Sequence, residues 1–149
     1  MECPHCKSKN TDKDFLFETK HWRAFLVSDQ CYLGRVIVEL QTHKGSLTEL
    51  TDEELTNFGE LVKKYESAVK KSFGADVFNW MCFMNNAYQE ENPNPHVHWH
   101  VRPRYKNVVV FQGQEFTDPD FGKNYNRDRE FIVPDELFQK IKLKIVENL

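Results

Sequence analysis

The heptapeptide His96-Val97-His98-Trp99-His100-Val101-Arg102 constrains the fold more than any other stretch of this chain. Imidazole and apolar side chains alternate strictly, and a period of two belongs to a β-strand rather than a helix. In a strand, His96, His98 and His100 share one face while Val97, Trp99 and Val101 share the other. The apolar set packs inward and sets the register, and neighbouring imidazoles stand about 6.5–7 Å apart along the chain. The fold must therefore supply a core behind this strand and open space in front of it.

The remaining sequence supplies such a core. Short aromatic and β-branched runs predict strands at Phe15–Glu18, Trp22–Val27, Arg35–Leu40 (just after Gly34) and Asp76–Met84. The histidine strand is expected over Pro95–Val101, ended by Pro103. Thr51-Asp52-Glu53-Glu54 reads as a capping box opening a helix that runs to Phe73 and stops at Gly74. Leu55, Phe58, Leu61, Val62, Tyr65, Val69 and Phe73 recur at helical spacing along one stripe. A second amphipathic helix is expected over 134–149, with Leu137, Phe138, Ile141 and Ile145 inward. Residues 106–133 are polar with scattered aromatics and read as a long irregular loop, a feature that is often functional in a compact domain. For 149 residues, 40% of them hydrophobic, this amounts to one α+β domain spanning 1–149. Its sheet should be five-stranded and mainly antiparallel.

Several function classes are disfavoured at this level. A formal charge of −3 argues against broad nucleic-acid or membrane binding. The N-terminus carries no apolar leader and no window has the length of a membrane span, so a cytoplasmic protein is expected. Four cysteines, two of them in Cys3-x-x-Cys6, suit a reducing compartment.

The histidine row admits three readings. It can be a solvated strand face. It can hold a catalytic metal, with Glu90 or Glu91 completing the ligands of a hydrolase or oxygenase. Or it can present a nucleophilic imidazole, neutral near pH 7, with a neighbouring histidine donating to phosphate and with Arg102 and Arg104 adding charge on the same face. Cys3 and Cys6 have the spacing of two thiolate ligands on one ion, half of a metal site; a redox pair and unrelated thiols are the other readings, and His5 is a further candidate ligand. Trp99, Cys82, Phe25 and Leu26 read as core by default, although the last two can border a base pocket. Lys63, Lys64, Lys70 and Lys71 read as the solvated face of the long helix.

The row, followed by Pro103-Arg104-Tyr105, resembles the signature of the histidine-triad (HIT) superfamily. Upstream, Gly34–Leu40 with Thr42-His43 and the helix opening at Thr51 is similar to the Gly, apolar strand, His, helix block of that family, and Asn85-Asn86 to the asparagine ahead of the triad. The resemblance covers most of residues 1–105. It implies a dimeric HIT-like α+β fold and the hydrolysis or transfer of nucleotidyl groups through a covalent intermediate on the middle histidine. By position that residue is His98, with His100 at the phosphate or leaving group and Asn86 at the nucleotide. Substrates of the kind implied are dinucleoside polyphosphates, nucleoside phosphoramidates, aminoacyl-adenylates and adenylated nucleic-acid ends. Members with an N-terminal Cys-x-x-Cys imply a structural zinc held here by Cys3, Cys6, His43 and His96, in a knuckle over residues 1–10. Two departures stand out. The Gly-Gln-Ser/Thr phosphate element is replaced by Asn92-Pro93-Asn94-Pro95, leaving Asn92 and Asn94 as phosphate contacts. The ribose-binding acid is replaced by Val27, leaving Asp29 as its substitute. A nucleotide-binding module without turnover is the alternative these departures leave open.

Overall fold

A computed structural model describes residues 3–149; Met1 and Glu2, the first two residues of the expected knuckle, lie outside it. A five-stranded antiparallel sheet forms from β1 (Phe15–Glu18), β2 (Trp22–Leu26), β3 (Val36–Leu40), β4 (Val77–Met81) and β5 (His98–Arg104), in the order β1-β2-β3-β5-β4. The short α1 (Pro4–Lys7) precedes it, and α2 (Asp52–Phe73) and α3 (Asp135–Val146) pack together on one face. Strand period and helix stripe meet there. Trp22, Ala24, Leu26, Val36, Val38, Leu40, Val97 and Val101 bury against Leu61, Tyr65, Val69 and Ile141. No helix among the described residues is long and apolar enough to cross a membrane.

The long helix begins and ends where its caps dictate. The Thr51 side chain accepts from the Glu54 amide, the Glu54 carboxylate accepts from the Thr51 amide, and Gly74 closes the helix at φ +75°. Its apolar stripe is narrower at the N-terminal end than the helical spacing predicts. Leu55 is 50% exposed, and Glu54 and Asn57 point inward instead. Both have polar work there: Asn57 accepts from Thr19 Oγ1 (2.8 Å) and the His21 amide (2.9 Å).

The histidine strand runs beyond its expected end and passes through Pro103. Val97 exchanges with the β3 side, its carbonyl accepting from Leu40, whereas the Arg104 carbonyl accepts from Asp76 beside β4. Odd-numbered residues of β5 therefore face β3 and even-numbered ones β4. Pairing with β3 ends at Val101, and pairing with β4 continues to Arg104. The missing amide of Pro103 thus faces a side that β3 has already vacated, and the ladder loses nothing.

The expected loop over 106–133 is not wholly irregular. It contains a hairpin of β6 (Val109–Phe111) and β7 (Gln114–Phe116), turned by Gln112 and Gly113 at φ +52° and +76°. Two consecutive positive φ angles are what a two-residue hairpin turn needs. Arg104 ties the segment down, bonding both oxygens of Asp118 (2.6 and 3.1 Å) and the carbonyls of Asp120 and Lys123 (2.9 Å each). This buried arginine is consumed by structure rather than offered to phosphate.

A cleft of histidines beside a four-donor cluster

Opposite the helices, the sheet carries Ile37, Glu39, His98, His100 and Arg102 on one face, because Glu39 pairs with His98 and Ile37 with His100. Ahead of β5, the His96 ring is anchored by donating from Nε2 to the Leu40 carbonyl (2.7 Å). A carbonyl only accepts, so the proton sits on Nε2 and the lone pair on Nδ1. That lone pair points into a cluster: Nδ1 of His96 lies 3.3 Å from Cys3 Sγ, 3.5 Å from Cys6 Sγ and 3.1 Å from His43 Nδ1, and Cys6 Sγ lies 3.3 Å from His43 Nδ1. All four donor atoms fall within 4.8 Å of one another. A tetrahedron with metal–sulfur bonds near 2.3 Å and metal–nitrogen bonds near 2.0 Å has S–N edges of about 3.5 Å and an N–N edge of about 3.3 Å. The donors fit that figure. They are the only group of three or more such side chains found among the described residues. A catalytic metal on the row, completed by Glu90 or Glu91, has no such group around His98 and His100.

His5, the other candidate ligand, turns away from the cluster. It donates from Nδ1 to Glu39 Oε1 (2.6 Å), and its ring stacks on His98 with centroids 4.2 Å apart and planes 25° apart. Glu39 is 5% exposed. Arg23 fastens the knuckle from below by donating to the Ser8 and His5 carbonyls. Sequence reasoning missed Glu39 altogether; its signal was an acid at the parity of Ile37 inside an apolar strand.

His98 is set up by the backbone of its own strand. Its Nδ1 donates to the His96 carbonyl (2.7 Å), which leaves the lone pair on Nε2. Nε2 lies 3.1 Å from His100 Nε2, so His100 carries the proton between them. Burial lowers the pKa of His98, and burial with the nearby His98, Arg102 and Arg35 brings His100 to about 4. Both rings are neutral at pH 7. The pair thus consists of an unprotonated Nε2 on His98, the lone pair a nucleophile needs, accepting from an N–H of His100 that a phosphate oxygen could take over.

Two cavities adjoin this pair, and another meets the first of them at Ile37. A cleft of about 360 Å³ is lined by His98 and His100 together with Asn86, Asn92 and Asn94, the three asparagines expected at the substrate. A second, of about 550 Å³, has an apolar wall of Phe25, Leu26, Val27 and Ile37 and carries Asp12, Asp14, Glu39 and the pair Lys13–Asp135 (3.2 Å) around it. The third, of about 370 Å³, holds Asp29 and Arg102 with His100. Val27 and Asp29 therefore face different cavities. The Asp29 carboxylate is engaged by Arg35 and by the amides of Cys31 (3.1 Å) and Phe131 (2.9 Å), so it does not stand free in the apolar cavity.

Comparison with known proteins extends the same picture. Residues 8–107 match the family model described as HIT domain. An uncharacterized HIT-like protein of Methanocaldococcus jannaschii is 36% identical over 127 residues, covering 79% of this chain and 93% of that protein. The asymmetrical bis(5'-nucleosyl)-tetraphosphatase of Schizosaccharomyces pombe is 28% identical over 125 residues, or 80% of this chain and 68% of that one. Among solved structures, a histidine triad protein of Sinorhizobium meliloti aligns with a TM-score of 0.70 at 18% identity, covering 92% of this chain and 91% of the other.

Proposed function

The chain belongs to the HIT domain family, and on that premise we propose that it cleaves a nucleotide phosphoanhydride or phosphoramidate bond through His98. The observation that carries this reading is the tautomer of His98, whose Nδ1 proton is held by the His96 carbonyl so that Nε2 is unprotonated and can attack once His100 releases it to bond a substrate oxygen. Attack forms an N–P bond to the α-phosphorus as the bond to the leaving group breaks. The leaving group departs with the bonding electrons as its anion, and the N–H of His100 is a hydrogen-bond donor that it can accept from; a departing nitrogen takes its proton from solvent. Water then displaces the nucleotidyl group from His98 and releases a nucleoside monophosphate; an acceptor other than water would make the reaction a transfer. The name of the fission-yeast relative supports anhydride chemistry, and Asn86, Asn92 and Asn94, which line the same cleft, would hold the phosphate.

Cys3, Cys6, His43 and His96 would hold a structural zinc. The set is closed, without a position for water, so the ion would supply folding energy and brace His96 rather than take part in the reaction. We include a homodimer in this reading. β4 is an open sheet edge with Val77 half exposed, and an unpaired edge is a template for a second copy. All four cysteines are unpaired thiols, in keeping with a reducing, cytoplasmic setting.

Incubation with a radiolabelled dinucleoside polyphosphate or nucleoside phosphoramidate, followed by an alkaline denaturing gel, tests the chemistry. Label should appear on the wild type and not on His98→Ala, whose turnover should fall by at least about 10³-fold. Label on the variant would place the nucleophile elsewhere, and nucleotide binding without label on either would leave a binding module. For the dimer, light scattering at micromolar concentration should return twice the chain mass; a monomer refutes it.

A further inference from the structure

We propose that the third cavity, beyond His100, is a binding site for a polyphosphate leaving group, built from Arg35, Arg102, Arg127 and Arg129. This rests on the nucleotidyl-transfer reading and narrows it to substrates whose departing part is a chain of phosphates.

The placement comes first. His100, Asn86 and Phe83 line both the histidine cleft and the arginine cavity, while Ile37 joins the cleft to the apolar one. The three cavities therefore run in a row, with His98 and His100 in the middle. An in-line displacement needs the entering and leaving atoms on opposite sides of phosphorus. With His98 Nε2 as the entering atom, the leaving oxygen must lie on the far side of phosphorus from it, and the arginine cavity, which shares His100 with the cleft, is the adjoining space that can take the departing chain.

The charge is in excess, and at Arg102 it is buried without a carboxylate partner among the described residues. Four arginines line the cavity against two carboxylates, Asp29 and Glu130. Asp29 is already committed to Arg35 and to two backbone amides. Arg102 is 9% exposed, lies 4.0 Å over the Tyr125 ring and reaches only the Met81 sulfur, also at 4.0 Å; no carboxylate lies within ion-pair distance of it among the described residues. Arg129 donates one nitrogen to the Thr117 carbonyl, and its buried Nη1 has no hydrogen-bond partner. Asp118, 3.9 Å from that nitrogen, is held by Arg104. Arg127 sits exposed over the Phe83 ring at 5.6 Å.

Burying an uncompensated guanidinium is unfavourable, and several sharing one cavity repel each other as well. An anion carrying two or more phosphates would neutralise them and accept the free donors in the fork geometry that arginine offers. The amine released from a phosphoramidate carries no negative charge for these arginines to bind.

The test compares two substrates with one adenylyl group and different leaving groups: diadenosine tetraphosphate and adenosine phosphoramidate. Arg102→Gln and Arg129→Gln should each lose about 10- to 100-fold in kcat/KM on the tetraphosphate and stay within about twofold on the phosphoramidate. The exposed Arg127→Gln should show the same split at about 3- to 10-fold, and it keeps the test decisive should a buried variant fold poorly. Inorganic tripolyphosphate should bind the wild type and His98→Ala equally by calorimetry, and bind the arginine variants at least about tenfold more weakly. Equal losses on both substrates, or no loss on either, overturn the proposal. So does tripolyphosphate binding without substrate discrimination. Turnover surviving in His98→Ala refutes the nucleophile instead, and leaves the calorimetric result to decide the cavity.

Discussion

Replacing Glu54 with glutamine should weaken both the fold and the metal cluster, although the residue touches neither a metal donor nor the histidine pair. Its carboxylate accepts from the Thr51 amide (2.8 Å) and Thr51 Oγ1 (3.1 Å) at the start of α2, and from Thr42 Oγ1 (3.0 Å) and Lys44 Nζ (2.5 Å). Thr42 and Lys44 flank His43, so one buried carboxylate holds a donor's neighbours on both sides to the end of a helix. Burial pushes this carboxyl up, but the hydrogen bonds from Lys44, Thr51 and Thr42 outweigh it and bring the pKa from 4.5 down to about 2. A folded pKa below the unfolded one adds stability at high pH that is lost as pH falls. At about 1.4 kcal/mol per unit, that contribution is roughly 3 kcal/mol above pH 4.5, and it disappears between pH 4.5 and 2. Glu54→Gln replaces one acceptor with a donor facing Lys44 or Thr51. Urea unfolding at pH 7 should show it about 2–3 kcal/mol less stable, with the gap closing toward zero as both proteins are titrated below pH 4. Competition with a chromogenic chelator should show zinc held about tenfold more weakly, the usual cost of loosening a ligand's support. A gap under about 1 kcal/mol at pH 7, or one that does not change down to pH 3, would refute this account.

Two further outcomes follow from the geometry. Chelation or Cys3→Ser should lower the melting temperature by about 10 °C or more, while protein that remains folded keeps forming the covalent adduct on His98; lost labelling with an unchanged circular-dichroism spectrum would mean that the metal acts in the reaction. Gly34→Ala should cost about 1–3 kcal/mol in urea unfolding, because residue 34 sits at φ +89° and an added Cβ would lie 3.2 Å from Val69 Cγ1. A change under about 0.5 kcal/mol would show that the turn relaxes.

Where pattern and contact are local, this chain is legible without coordinates. Thr51, Glu54 and Gly74 announce the ends of α2, and the alternation over 96–102 gives the face of every histidine. What escaped depends on neighbours distant in sequence. That β5 can run through Pro103 depends on where β3 stops. Leu55 lies on the helical stripe yet is exposed, because Thr42 and Lys44 draw Glu54 inward. The β6–β7 hairpin has strands of three residues, too short for alternation to register. Cys3 and Cys6 could be recognised as half a metal site from their spacing, whereas His43 and His96 came only from family resemblance. His5 on His98 and the gathering of Arg35, Arg127 and Arg129 around Arg102 join segments up to about a hundred residues apart, and no period in the sequence encodes such a meeting.

The crowding of so many roles onto alternate residues of β5 bears on how this chain can vary. Substitution at His98, His100 or Arg102 removes one role and leaves the backbone between β3 and β4 in place. A change in length does something else. Hydrogen-bonded on both sides, the strand can shift only by whole residues, and a one-residue slip would turn Trp99 and Val101 toward the cleft and His98 and His100 toward α2. Relatives of this chain should therefore diverge by exchange on this strand and by insertion only outside it, with the segment from Asn85 to Asn92 and the chain beyond Tyr105 as the places where length can drift.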